Sequence, residues 1–150
     1  MSEYRDRDHI KSYVIRAARM SPAQARAFER LREAYCIPYS EEPVELRDCF
    51  PRPEQPLYLE IGFGMGDATA EMAEADPGTN FLGVEVHKPG VGKLLYQVEK
   101  RGLRNVRVIH EDALPVVEHM IPEASVNGVL LFFPDPWPKK RHHKRRIVRD

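Results

Sequence analysis

The run Glu60-Ile61-Gly62-Phe63-Gly64-Met65-Gly66-Asp67 constrains this chain more than any other stretch. Apolar Leu57-Tyr58-Leu59 leads into it and helix-favouring Asp67-Ala68-Thr69-Ala70-Glu71-Met72-Ala73 follows, so the segment reads as strand, tight turn and helix. Glycines at alternate positions let the backbone bend sharply and let a ligand lie against bare peptide, as the first turn of a nucleotide-binding βα unit does. A dinucleotide fingerprint would space them G-x-G-x-x-G and set a pyrophosphate on the helix N-terminus. Here the pattern is Glu-x-Gly-x-Gly-x-Gly with Asp67 opening the helix, and carboxylates at that mouth disfavour a phosphate and favour a cation.

S-adenosylmethionine has the required chemistry: no phosphate, a sulfonium, an ammonium, and a need for close backbone approach. Glu60, Gly62, Gly64 and Gly66 are therefore candidate cofactor contacts. The pattern resembles motif I of the class I S-adenosylmethionine-dependent methyltransferases. A glycine-rich turn without a ligand is the alternative that the triplet alone leaves open.

The remaining strands repeat one arrangement. Asn80 to Val86 reads as a second buried strand, and Glu85 lies about 20 residues past the glycines, where a doubly wound fold places the carboxylate that accepts ribose hydroxyls. His87 to Arg101 carries Val91, Leu94, Leu95 and Val98 at helical spacing and stops at Gly102. Asn105 to His110 is a third strand, followed by Glu111-Asp112-Ala113 and a short helix from Leu114 to Met120. In this fold that loop lies beside the adenine, so Asp112 is a candidate acceptor for its amine and Ala113 a backbone and apolar contact; Asp112 is equally placed to cap the short helix. Gly128 to Phe133 is apolar without alternation, as a strand covered on both faces is. The predicted sheet order is 3-2-1-4, with strand 4 beside strand 1.

The amino-terminal part is different in kind. Ser21-Pro22-Ala23-Gln24 starts a helix over about Pro22 to Ala34, with Phe28, Leu31 and Tyr35 on its packed face and Arg26, Arg30 and Arg32 on a solvated one. From Ile37 to Pro56 five prolines punctuate acidic residues, which predicts a connector. Residues 1–55 are thus an extension with one helix and a Pro-rich connector, and residues 56–150 a Rossmann-like α/β domain.

Charge locates the second ligand. The chain has 23 bases and 23 acids, yet residues 139–149 hold seven of the bases and no acid. That run follows Pro134-Asp135-Pro136-Trp137-Pro138, a stiff loop at the same sheet edge as the glycine turn. Trp137 offers a stacking plane for a base and the cations offer phosphate contacts, which together read as a nucleic-acid substrate brought to a methyl donor. Cys36 and Cys49 form no C-x-x-C pair and read as reduced thiols, no His, Cys and Asp spacing suggests a metal, and no apolar run approaches the roughly 20 residues of a membrane span. A cytoplasmic protein is expected.

Phe133-Pro134-Asp135-Pro136-Trp137-Pro138-Lys139-Lys140-Arg141-His142-His143-Lys144-Arg145-Arg146, with Glu60-Ile61-Gly62-Phe63-Gly64 and Arg19-Met20-Ser21-Pro22-Ala23-Gln24, closely resembles the bacterial tRNA (guanine-N(7)-)-methyltransferase family over about residues 10–148. The resemblance implies that Glu60, Glu85, Asp112 and Asp135 line the S-adenosylmethionine site and that Asp135 is also catalytic. It implies further that Lys139 contacts the substrate, that Arg141, His142, His143, Lys144, Arg145 and Arg146 contact RNA, and that the target is a guanosine of the tRNA variable loop. Members of that family continue with further strands beyond the fourth, so the expectation is a fold truncated after strand 4, with little or no transfer activity of its own. The competing readings are a methyltransferase for another RNA or for an exocyclic amine, a non-catalytic donor- or RNA-binding fragment, and, third, a nicotinamide dehydrogenase, which the glycine spacing disfavours.

Overall fold

The computed structural model describes residues 19–122 and 124–131. Four strands form one parallel sheet: β1 (Leu57–Ile61), β2 (Asn80–Val84), β3 (Val106–Ile109) and β4 (Gly128–Leu131), in the expected order β3-β2-β1-β4. Leu59 stands opposite Leu82 on one side and Val129 on the other, and Val84 opposite Ile109. All carboxyl ends therefore share one edge, and β1 leaves the sheet where the strand order reverses, the place where open α/β sheets bind ligands.

The helices are α1 (Pro22–Tyr35), α2 (Asp67–Ala75), α3 (Lys88–Arg101) and a short α4 (Ala113–Pro115) that runs on as a π turn over Val116–Met120. At the start of α1 the predicted capping box is present: Gln24 N–H donates to Ser21 Oγ at 3.2 Å and Ser21 N–H to Gln24 Oε1 at 3.0 Å. Phe28 of α1 is buried, and Leu31 and Tyr35 pack behind it against α3 and β3. Val91, Leu94, Leu95 and Val98 of α3 are wholly buried, each contributing about 1.5–3 kcal/mol by leaving water. Helix α3 ends on Gly102 in the left-handed region at φ 65°, whose N–H closes on the carbonyls of Val98 and Glu99. Just before β3, the Asn105 amide donates to the carbonyl of Ala73 in the last turn of α2 and to those of Asp76 and Thr79 in the turn that follows it, at 3.1, 3.1 and 2.7 Å.

Three expectations need correction. The Pro-rich stretch between Ile37 and Pro56 is more than a connector: Leu46 and Phe50, in and just after a 3₁₀ turn (Leu46–Cys49), are 1% and 4% exposed. With Ile37, α4 and the π turn they cover the sheet face that α1, α2 and α3 leave bare, joining Leu57, Leu59, Leu82, Val84, Ile109 and Val129. A parallel sheet is apolar on both faces, so something in the chain has to supply that second layer. Strand β2 stops at Val84 instead of Val86, and Val86 is exposed, because the chain turns once the Glu85 carboxylate takes the N–H of His87. The helix predicted over Leu114 to Met120 is one α turn followed by a π turn, which leaves Leu114 and Val117 exposed.

Candidate functional site

The glycine turn and the chain just after β2 meet at the carboxyl edge. Gly62, Gly64 and Gly66 all have positive φ, at 68°, 66° and 84°, a region that costs other residues strain. The turn is sewn to its surroundings by backbone bonds: Gly62 N–H to Val84 O at 2.8 Å, Gly66 N–H to Phe63 O at 3.1 Å and Ala70 N–H to Gly66 O at 2.9 Å. A β-carbon on Gly62 or Gly64 would meet nothing within 4 Å, so open space lies in front of both peptides. On Gly66 it would lie 2.7 Å from Leu94 Cβ, so the bareness of that residue is used to pack α2 against α3.

Glu85 spans the gap between the two segments. Its Oε1 accepts the Gly64 N–H at 2.7 Å and its Oε2 the His87 N–H at 3.1 Å, which fixes the carboxylate beside the open face of the turn. Each oxygen keeps a further lone pair. Below it, Glu60 is wholly buried in β1, with Oε1 accepting a hydrogen bond from the Thr69 hydroxyl of α2 and Oε2 without a partner among the described residues. Burial pushes the Glu60 carboxyl up to about 7, the Thr69 bond pulls the other way, and the Glu85 charge adds to the rise. An orphaned carboxyl oxygen inside a fold is costly, and a cationic group brought to it would relieve the cost. Glu60, Gly62, Gly64 and Glu85 thus lie together at the carboxyl edge of the sheet.

Asp112 and Ala113 lie at the same edge two strands away, past the end of β3, where Asp112 occupies the N-cap position of α4 without a side-chain bond to that turn. Its backbone N–H donates to Glu111 Oε1 at 3.1 Å. Asp135, Trp137, Lys139, Arg141, His142, His143, Lys144, Arg145 and Arg146 lie outside the described residues. The arginines of α1 are partly spoken for: Arg30 pairs with Glu99 at 2.6 Å, an exposed ion pair worth little, and Arg32 sits over the Phe28 ring.

Two residues escaped the sequence reading. Thr69 looked like one more helix residue and is the buried partner of Glu60. Gly90 sits in the first turn of α3, where a β-carbon would come within 1.9 Å of Gly64 O, so the helix rests directly on the glycine turn. The signal for the second was present, since Gly90-Val91-Gly92 puts two glycines inside a helix, and Gly costs about 1 kcal/mol there relative to Ala.

A family model described as "Putative methyltransferase" matches residues 54–150. Among curated proteins, the "tRNA (guanine-N(7)-)-methyltransferase" of Methylobacillus flagellatus is 50% identical over 139 residues, 93% of this chain and 58% of that protein. The protein of the same name from Chromohalobacter salexigens is 52% identical over 93% of this chain and 56% of its own length. That of Nitrosospira multiformis is 50% identical over 148 residues, 99% of this chain and 64% of its own. The chain therefore spans somewhat over half the length of the curated relatives it matches.

Proposed function

This chain belongs to the methyltransferase family whose model covers residues 54–150, and from that premise we propose that it moves a methyl group from S-adenosylmethionine to N7 of a guanosine in the variable loop of tRNA, in the cytoplasm. The observation that carries the donor assignment is the buried Glu60, with one carboxyl oxygen unpaired among the described residues, beneath a glycine turn whose peptides face open space. The family match and the 50–52% identity to proteins named for this reaction support the choice of substrate.

The bound donor supplies an electrophilic methyl on a sulfonium; the chain's part is to hold, orient and neutralise. Gly62 and Gly64 let the donor lie against bare peptide. Glu85, already fixed by Gly64 and His87, has lone pairs left for the ribose hydroxyls. Glu60 offers its unpaired oxygen to the ammonium, and Asp112 with Ala113 receives the adenine end. Asp135, in the Pro134-Asp135-Pro136 sequence that follows β4, holds the guanine by its edge. Guanine N7 already has a free lone pair, so no base is needed to create the nucleophile, and alignment of nitrogen, methyl and sulfur supplies much of the rate. Positive charge then develops on the guanine, and the Asp135 carboxylate stabilises it, which is positioning and electrostatic work without proton abstraction. Trp137, Lys139 and the run from Arg141 to Arg146 hold the RNA by stacking and phosphate contacts.

Equilibrium dialysis of the purified chain against radiolabelled S-adenosylmethionine and, separately, NAD tests the donor: retention of the first alone is expected, and retention of NAD alone would overturn the reading. Nucleoside mass spectrometry of unmodified tRNA incubated with the protein and donor tests the target. This chain alone is expected to transfer little, and the methyl groups it does transfer should be confined to N7 of guanosine; methyl on an exocyclic amine would refute the substrate assignment.

A further inference from the structure

Thr69 is the third residue of α2, yet its hydroxyl does nothing for the helix. The N-cap is Gly66, and the Thr69 side chain, fully buried, reaches across to β1 and donates to Glu60 Oε1. A helical threonine commonly bonds back to its own preceding turn. Here the bond is spent on a carboxyl group nine positions earlier that has no other partner among the described residues.

We propose that Thr69 is a positioning residue of the donor site: by occupying Oε1 it fixes the Glu60 carboxyl in one orientation and leaves Oε2 as the atom presented to the cationic amine of the methyl donor. The proposal rests on the donor reading above and adds to it the residue that sets the state of the acid. The groups around Glu60 support it. Its strand neighbours in register are Gly83 on β2 and Leu130 on β4, neither of them charged, and Thr69 is neutral. The charged group set against it is Glu85, a like charge that opposes ionisation. Among the described residues, Thr69 thus supplies the hydrogen bond that favours the carboxylate, the form an ammonium needs.

A test follows from how the two partners titrate. Donor affinity should rise with pH as Glu60 ionises near pH 7 and fall again as the donor's own α-amino group loses its proton, at about 7.7–8.0 if it behaves as a peptide α-amino group does. Thr69→Val keeps the shape and removes the hydroxyl. Calorimetric titration with S-adenosylmethionine from pH 5.5 to 9 should then show the rising limb moved to higher pH, the falling limb unmoved, and affinity at pH 7 lower by roughly tenfold, the scale of one hydrogen bond to a charged group. Thr69→Ser should restore the original profile. Glu60→Gln should lack the rising limb altogether. Carbon-13 NMR titration of the Glu60 carboxyl in the donor-free protein gives an independent reading, in which Thr69→Val should raise the midpoint.

A Val variant that loses affinity equally at every pH, or whose carboxyl midpoint stays where it was, would overturn the proposal and leave Thr69 a packing residue. Absence of donor binding by the unsubstituted chain at every pH would instead overturn the donor reading, and this proposal with it.

Discussion

Glu60→Gln should change how stability depends on pH, and the size of the change follows from the burial of one carboxyl. In the unfolded chain this acid titrates near 4.5, and in the fold burial raises it to about 7. Between those values the folded protein holds a proton that the unfolded chain has released, so stability falls as pH rises, at about 1.4 kcal/mol per pH unit. The contribution is fully present below the unfolded value and lost as pH climbs through about 7, a total of roughly 3 kcal/mol out of the 5–15 kcal/mol typical of a domain. Glutamine cannot titrate. Its oxygen still accepts the Thr69 hydroxyl, but its amide would stand in place of Oε2 with no acceptor, which costs about 1–3 kcal/mol at every pH. The native chain should therefore be clearly the more stable of the two at pH 5, with the gap narrowing by about 2–3 kcal/mol by pH 8. Urea unfolding of both proteins at pH 5, 6, 7 and 8, followed by circular dichroism, measures this difference directly. A gap constant to within about 0.5 kcal/mol across that range would show that Glu60 ionises as freely in the fold as out of it, and the account of the buried acid would fail.

The path of the sheet was legible because each of its signals is local. Alternate glycines after an acid, a Ser-Pro-x-Gln helix start and acids at strand ends are read within a few residues, and they place Glu60, Gly62, Gly64 and Glu85 at one edge. What the sequence hid depends on packing between segments. Leu46 and Phe50 are two apolar residues in a stretch of prolines and acids, and only the bare second face of the sheet explains why they are buried. The depth of Glu60 was hidden for the same reason: an acid before three glycines reads as a rim residue, and its place inside β1, covered by α2, turns it into a buried group with a raised pKa. Thr69 carried no signal at all, since its contact is fixed by how α2 lies on β1.

Three further outcomes are expected. Glu85→Gln should weaken S-adenosylmethionine binding by roughly 1.5–3 kcal/mol in calorimetry without changing RNA affinity, and an unchanged donor affinity would remove Glu85 from the site. Replacing Lys144, Arg145 and Arg146 together by Ala should lower tRNA affinity and flatten its log-log salt slope by about 0.7–0.9 for each phosphate no longer neutralised, while an unaltered slope would make the run a solvated tail. Gly90→Ala sets two effects against each other in one urea experiment. Alanine gains about 1 kcal/mol of helix propensity over glycine, yet its β-carbon would fall 1.9 Å from Gly64 O, a backbone atom of the turn that Glu85 also grips. Relief requires α3 to lift off the turn, and overpacking of that kind costs about 1–3 kcal/mol, so the balance should be a loss of stability joined to weaker donor binding. A variant more stable than the native chain, with donor affinity intact, would mean that the helix does not rest on the glycine turn.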